Sequence, residues 1–155
     1  NLPHQIAMTT DSFTVTPRFF PGGNIGKLAI CGTTNDLAMV GAKPQFLTIS
    51  FIIEEGFDFD ELEKIVKSIQ NELQINRAYI IAGDTKVMPK GSIDGLIINT
   101  TGIGEILKPN ISAKNLEVGD KILISRDIGK HGATIFALRE ELNFETNLKS
   151  DSASL

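Results

Sequence analysis

The sequence predicts an α+β domain built from a mixed or antiparallel sheet with packed helices. Runs of β-prone residues and runs at helical spacing follow each other without the strict strand–helix–strand repeat of a parallel sheet. A long apolar stretch, residues 24–44, is typical of one buried helix around which the strands are arranged. The 155 residues are 41% hydrophobic and 22% charged, which is ordinary for a folded domain.

Apolar, β-branched runs bounded by turn residues predict the strands. The five strands are predicted at residues 5–10, 45–53, 78–82, 95–106 and 121–125. The first strand is expected to stop at Asp11, and the third, interpreted as buried, at Gly83 and Asp84. A short alternating run, residues 13–16, follows the first strand and is broken by Pro17.

Three helices are predicted. In the first, Asn24 is the predicted N-cap and Pro44 ends the helical region. The second begins at Asp58, which forms a pair like a capping box with Glu61. The apolar face of this second helix consists of Leu62, Ile65, Val66, Ile69 and Leu73. Its Glu and Lys residues are expected on the solvated face. The third helix is predicted over residues 133–142.

The chain is predicted to contain parts of two domains. Residues 108–119 are rich in Pro, Asn, Ser and Lys, which is typical of a linker. We therefore predict a first domain over residues 1–107 and the start of a second α+β domain over residues 120–155. The second domain is expected to be truncated, because the polar tail has no closing element.

Composition narrows the classes of partner. The net charge of −4 gives no electrostatic reason to expect nucleic acid. The longest apolar run, residues 46–53, is far too short to span a bilayer, and no basic-then-apolar leader is present. The single cysteine, Cys31, excludes an internal disulfide and is predicted to be a packed apolar residue rather than a nucleophile. These features predict a cytoplasmic protein without membrane contact.

Three aspartates are the candidate metal ligands. Asp11 and Asp84 follow predicted strands, and Asp36 lies on the first helix, so a fold could bring all three together. Mg²⁺ prefers oxygen ligands and typically takes one or two carboxylates plus phosphate oxygens. Asn35 could reach a phosphate or ribose oxygen, and Lys86 has the charge to meet a phosphate. The spacing alone also fits a structural role, because an aspartate after a strand commonly caps a turn.

A second candidate site is the glycine-flanked turn around His131. Residues 129–132, Gly-Lys-His-Gly, directly precede the third helix. The free backbone N–H groups at a helix N-terminus form a ready anion site. A glycine turn that starts a helix is also common without any ligand. Both interpretations stay open from the residues alone.

Several longer motifs carry a more specific signal. They are TTDSF, FFPGGNIGKLAICGTTNDLAMVGAKP, FIIEEG, AGDTKV and INTTGIGEI, followed by GKHGATIFALREELNFE and SDSASL. Together they resemble the HypE family of hydrogenase maturation factors, in the superfamily of aminoimidazole ribonucleotide synthetase and selenophosphate synthetase. The resemblance covers essentially the whole chain. Sister families share the acid positions, but FFPGGNIGKLA together with GDTKV favours HypE.

The resemblance implies an enzyme that uses ATP and Mg²⁺. Its reaction would be the dehydration of a carboxamide on a C-terminal cysteine to a thiocyanate, which supplies the cyanide ligand of iron in [NiFe]-hydrogenase. Asp11, Asp36 and Asp84 are similar in position to the family's magnesium-binding acids. Asn35 is implied to contact a nucleotide phosphate, with Asp36 and Asp84 also at the nucleotide. Lys86 is implied to aid ATP use or amide activation as the catalytic cation.

The resemblance also implies partners. The family dimerises through the sheet of its first domain, with ATP in a cleft beside that interface. Its other partners are a HypF-like carbamoyltransferase and a HypC–HypD scaffold that carries iron. Alternative functions are another ATP-dependent member of the superfamily, selenophosphate synthetase or thiamine-phosphate kinase, and a non-catalytic docking module for maturation partners.

Two departures from the family pattern limit this expectation. The family begins with a glycine-rich, acidic segment upstream of Asn1 and ends with a cysteine-bearing tail on a complete second domain. Cys31 is not that tail cysteine, because it lies in the first predicted helix. We therefore expect a fragment that is incomplete for turnover.

Overall fold

A computed structural model describes residues 5–124, 127–140 and 148–155, and it has the predicted α+β architecture. The strands are β1 (Ile6–Phe13), β2 (Phe19–Phe20), β3 (Gly23–Asn24), β4 (Ala42–Glu54), β5 (Tyr79–Met88) and β6 (Leu96–Ile106). The helices are α1 (Ile25–Met39), α2 (Phe59–Asn76) and α3 (Lys130–Arg139). Every helix in the described ranges is too short or too polar to cross a bilayer.

The main sheet has four strands in the order β1-β6-β4-β5. β1 and β4 both pair antiparallel with β6, whereas β5 pairs parallel with β4, so the sheet is mixed as predicted. β2 and β3 form a separate two-stranded ribbon that leads into α1.

The two faces of this sheet differ. One face is covered by α1 and carries the buried side chains of Leu47, Ile49, Leu96 and Ile98. Because side chains alternate along a strand, the residues between these point to the other side of the sheet. We call that side the open face, which carries Thr10, Ser12, Ser50, Asp84, Lys86, Asn99 and Thr101.

The first helix is shorter than predicted. The Asn24 side chain accepts hydrogen bonds from the N–H groups of Gly26 and Lys27 at 2.9 and 3.0 Å, which confirms the N-cap. The helix ends at Met39 instead of continuing to Pro44. Pro44 instead lies inside β4, where a register shift against β6 accommodates a residue without an N–H.

The second helix begins as predicted, with the Asp58 carboxylate accepting the Glu61 N–H at 2.9 Å. Ile65 and Ile69 are buried against the core and Leu73 packs on it, as predicted, but Val66 of the predicted apolar face is 45% exposed. Glu72, however, is only 7% exposed and does not lie on a solvated face. It is buried because it meets polar groups of α1, including Lys27.

Both edge strands are longer than the sequence predicted. β1 passes through Asp11 to Phe13, so residues 13–16 do not form a second strand. β5 passes through Gly83 and Asp84 to Met88, and it is largely exposed rather than buried. An edge strand pairs on one side only, and it tolerates charged side chains that a central strand would exclude.

After β6 the regular structure is sparse. The predicted linker holds one 3₁₀ turn, Ala113–Asn115, and is otherwise irregular and exposed. The predicted strand 121–125 is wrong for residues 121–124, which are not extended in a sheet, and Ile122 is 90% exposed. Ser125 lies outside the described residues. The third helix begins three residues earlier than predicted, at Lys130, and ends at Arg139; residues 141 and 142 of the predicted span lie outside the described ranges.

Candidate functional site

Asp11 and Asp36 lie on the same side of the sheet. Thr9 and Asp11 alternate along β1 toward α1, and the Thr9 hydroxyl donates to Asp36 Oδ2 at 3.0 Å. One oxygen of Asp11, Oδ1, accepts the Ser12 N–H at 2.7 Å. Asp11 and Asp36 are thus two carboxylates on the α1 side of the sheet, and Thr9, which hydrogen-bonds Asp36, lies two residues from Asp11 in β1.

Asp84 and Lys86 lie on the open face of β5. They are two residues apart in a strand, so their side chains point to the same side. Their neighbours in β4 are Ser50 and Ile52. Both side chains are exposed, and within the described residues neither forms an ion pair. The acid and the cation therefore share one face of β5, and their functional roles stay predictions.

The three aspartates do not converge in one chain. Asp11 is paired with Thr100, Thr100 with Ile49, and Ile49 with Gly83. Asp84 follows Gly83 and faces the opposite side, and β5 is three strand spacings, about 14 Å, from β1. In the described part of the chain, no group of three or more His, Cys, Asp or Glu residues could hold a metal ion.

The sequence interpretation failed on this point because Asp84 was expected to follow a strand. Since β5 continues through Asp84, alternation assigns that side chain to one face of the sheet. An aspartate beyond the strand end could have turned toward either face. The metal role of Asp11, Asp36 and Asp84 itself stays a prediction.

Asn35 faces the C-terminal residues of the described chain. Its Nδ2 donates to the Ala153 carbonyl at 2.9 Å, and its Oδ1 accepts the Leu155 N–H at 3.0 Å. We call residues 150–155 the strap. The motif SDSASL was visible in the sequence, but nothing in its spacing indicated that it would return to α1.

The strap also caps α3. Asp151 Oδ1 accepts the His131 N–H at 2.8 Å, and Oδ2 accepts the Lys130 N–H at 3.3 Å. A carboxylate therefore lies at the helix N-terminus that the sequence marked as a possible anion site. In this chain the anion is its own Asp151.

The His131 ring is held between two elements. Its Nδ1 is 3.0 Å from the Ser150 hydroxyl, and its ring packs edge-on against Phe20 with centroids 5.2 Å apart. Burial lowers the pKa of His131, and the charge of Asp151 opposes this shift. The neutral imidazole is therefore the form that the fold favours.

Cys31 is packed, as predicted, and it is only 2% exposed. Its thiol donates to Glu72 Oε2 at 3.4 Å, and Glu72 Oε1 is 3.8 Å from Lys27 Nζ. The pKa of Cys31 is raised from 9.0 to about 11, chiefly by burial and also by Glu72, while the Ser154 hydroxyl and the charge of Lys27 oppose the rise. A thiol with this pKa is protonated near neutral pH and is a poor nucleophile.

Comparison with known proteins agrees with the family resemblance. A carbamoyl dehydratase HypE from Bradyrhizobium diazoefficiens is 51% identical over 152 residues, which are 97% of this chain and 44% of that protein. A crystal structure of HypE with ATP matches all of this chain and 47% of that chain, with 51% identity and a TM-score of 0.94. A HypE–HypF complex matches 97% of this chain and 50% of that chain, with 56% identity and a TM-score of 0.94.

These matches confirm the resemblance to HypE along nearly the whole sequence. The chain spans slightly less than half the length of the curated relatives that it matches. Residues 2–106 also match the family model described as AIR synthase related protein, N-terminal domain. These residues contain the sheet, α1, α2 and all five predicted site residues. The chain therefore belongs to the AIR synthase related protein family and contains its N-terminal domain.

Proposed function

We propose that this chain is the ATP-handling part of a HypE-type carbamoyl dehydratase. The main support is its similarity to the HypE that was crystallised with ATP, which extends over all of this chain at 51% identity. In the proposed reaction, the oxygen of a cysteine S-carboxamide attacks the γ-phosphorus of ATP and releases ADP. Loss of inorganic phosphate and a proton then leaves a thiocyanate, the source of a cyanide ligand for iron.

The cysteine that carries the carboxamide would lie outside these 155 residues. Cys31 is buried, its pKa is about 11, and its thiol already hydrogen-bonds Glu72. These properties do not suit a thiolate that must accept a carbamoyl group. Turnover therefore belongs to a longer protein, of which this chain would supply the nucleotide site.

Two of the three predicted magnesium ligands suit the ion. Asp11 and Asp36 are carboxylates on one side of the sheet, and Mg²⁺ needs only one or two carboxylates beside phosphate oxygens. Asp84 does not join them within one chain, because it lies on the open face. The ion would neutralise charge on the ATP phosphates when bound.

Lys86 is the proposed catalytic cation. It is exposed beside Asp84 and, within the described residues, is not neutralised by an ion pair. An ammonium group there can stabilise the negative charge that develops on the amide oxygen and the transferred phosphate. Asp84 is the acid next to this ammonium group on the open face, and within one chain it does not lie on the same side of the sheet as Asp36.

The proposed partners are a second copy of this chain, a HypF-type carbamoyltransferase and a HypC–HypD scaffold. The open face exposes apolar side chains, including Tyr79 at 67% and Met8 at 71%, and two copies packed through it would cover them. A HypF-type carbamoyltransferase is proposed because a HypE–HypF complex has been crystallised. A HypC–HypD scaffold would receive the cyanide, and the reaction would take place in the cytoplasm.

A thermal-shift titration with ATP, with and without Mg²⁺, tests the nucleotide site. At about one hundred times Kd, binding should stabilise the chain by about 2.7 kcal/mol. Asp36→Asn should remove most of the magnesium-dependent shift, and Asp84→Asn should remove less of it, because Asp84 lies on the opposite side of the sheet. Asp60→Asn is the matched control, because it makes the same change at an exposed acid on α2. A wild-type chain without any magnesium-dependent shift would contradict the proposal.

A further inference from the structure

The contacts of Asn35 determine what its amide can do. Its donor meets the Ala153 carbonyl, which can only accept, and its acceptor meets the Leu155 N–H, which can only donate. These two partners fix the orientation of the amide without ambiguity. The Asn35 amide thus binds the C=O of one strap residue and the N–H of the residue two positions later, as the backbone of a neighbouring β-strand would.

Other groups of the first domain hold the strap at both ends. The Ser150 N–H donates to the Pro21 carbonyl at 2.8 Å, and Asn76 Nδ2 donates to the Ser154 hydroxyl at 2.7 Å. A Cβ built on Gly22 would lie 2.7 Å from the Ser150 carbonyl oxygen, so the ribbon approaches the strap backbone closely. The strap is therefore fixed to α1, to α2 and to the turn between β2 and β3.

From this docked position the strap reaches α3. Asp151 accepts the first N–H groups of α3, from Lys130 and His131. Four residues along the chain, Leu155 donates to Asn35, which directly precedes Asp36 on α1. The strap thus joins the N-terminus of α3 to the helix that carries a predicted metal ligand.

We propose that Asn35 is a positioning residue and not a nucleotide contact. It fixes the strap, and through the strap the N-terminus of α3, relative to Asp36. The part that concerns the nucleotide rests on the proposed function, in which Asp36 serves Mg²⁺ and ATP. The coupling between Asn35 and α3 rests on the hydrogen bonds of the strap described above and does not depend on the proposed function.

Hydrogen exchange at the Lys130 and His131 amides tests the coupling. The variants are Asn35→Ala and Leu155→Pro, of which the second removes the N–H that Asn35 accepts, together with the Leu side chain, and leaves Asn35 intact. Leu155→Pro loses one of the two hydrogen bonds and should speed exchange at both amides about tenfold, and Asn35→Ala loses both and should speed it at least as much. The double variant should exchange no faster than the faster single variant, because both changes release the same segment.

Ser152→Ala is the matched control, because it lies in the strap and its side chain contacts neither Asn35 nor α3 in the described structure. Its exchange rates should equal those of the wild type. Asn35→Asp keeps the acceptor for Leu155 and loses the donor to Ala153, so an intermediate rate is expected even if Asn35→Ala does not fold. Unchanged exchange in Asn35→Asp and Leu155→Pro would overturn the proposal.

Measurements of nucleotide binding distinguish the two alternative roles of Asn35, positioning and direct contact with the nucleotide. If Asn35 only positions, Leu155→Pro should also weaken Mg-ATP binding, by no more than Asn35→Ala does. If Asn35 contacts the nucleotide, Asn35→Ala alone should weaken it, and that result would also overturn the proposal. If the wild-type chain shows no magnesium-dependent thermal shift with ATP, the proposed function is refuted. Hydrogen exchange at Lys130 and His131 would still test the coupling between Asn35 and α3.

Discussion

Buried polar residues of α1 and α2 form a small network that includes Cys31. Glu72 is a buried carboxylate, and such a group is costly unless a cation or hydrogen-bond donors meet it. Here Lys27 and the Cys31 thiol meet its two oxygens. Burial, with a smaller contribution from Glu72, raises the pKa of Cys31 and keeps the thiol protonated, so at the scale of single residues Cys31 has a packing role.

Cys31 should react slowly with a thiol reagent while the chain is folded. Raising its pKa from 9.0 to about 11 lowers the thiolate fraction about 100-fold at pH 8, and burial blocks access as well. We expect the native chain to react with dithiobis(nitrobenzoic acid) at least about 100-fold more slowly than the same chain in urea. Rapid labelling of the native chain would contradict a packed thiol.

At the scale of elements, close packing of α1 depends on residues without side chains. A Cβ on Gly26 would lie 2.6 Å from the Ile65 carbonyl oxygen of α2. A Cβ on Gly32 would lie 2.7 Å from the Phe13 ring of β1. The small residues of the predicted helix therefore set how closely α1 approaches α2 and β1, and these contacts also fix the position of Asp36 relative to β1.

Gly26→Ala should destabilise the fold, because its nearest obstacle is backbone and cannot rotate away. Overpacking of this kind costs about 1–3 kcal/mol in the free energy of unfolding, measurable by urea denaturation. Gly132→Ala is the control, since a Cβ there would meet nothing within 4 Å and the residue lies in α3. It should be neutral or stabilise by up to about 1 kcal/mol. Equal losses in both variants would argue against close packing as the cause.

At the scale of the whole molecule, the strap and α3 are attached to the first domain through polar contacts and through Ile135, which is buried in the core. His131 contributes through the Ser150 hydroxyl and through Phe20 of the ribbon. Its charge state therefore affects how firmly the later residues are held. Because burial lowers the pKa of His131, the attachment should depend on pH.

Acidification should weaken this attachment. The fold favours neutral His131, so its contribution to stability is complete above the ordinary pKa of 6.5 and is lost as pH falls through the lower folded value. We expect hydrogen exchange in α3 to speed up between pH 7 and pH 5.5 in the wild type, after correction for the intrinsic pH dependence of exchange. His131→Gln, which cannot titrate, should show a smaller change. An identical pH profile for the two proteins would exclude His131 as the cause.

The sequence by itself determined the features that depend on neighbouring residues. It predicted the α+β class, the caps at Asn24 and Asp58, the apolar face of α2 apart from the exposed Val66, and the burial of Cys31. Helix caps and helical periodicity are local, because they connect residues within three or four positions. The resemblance to HypE was also readable from the motifs, and the comparisons confirm it.

Only the tertiary structure decided which candidate residues meet. Asp84 lies on the open face because β5 continues past it. Asn35 contacts Leu155 of the strap, which lies 120 residues later in the sequence. The end of an edge strand and the docking of a distant segment depend on hydrogen bonds to residues far away in sequence, which local patterns do not record. For this reason, the sequence could name the candidate acids but could not show that Asp11 and Asp36 share one side of the sheet while Asp84 lies on the other.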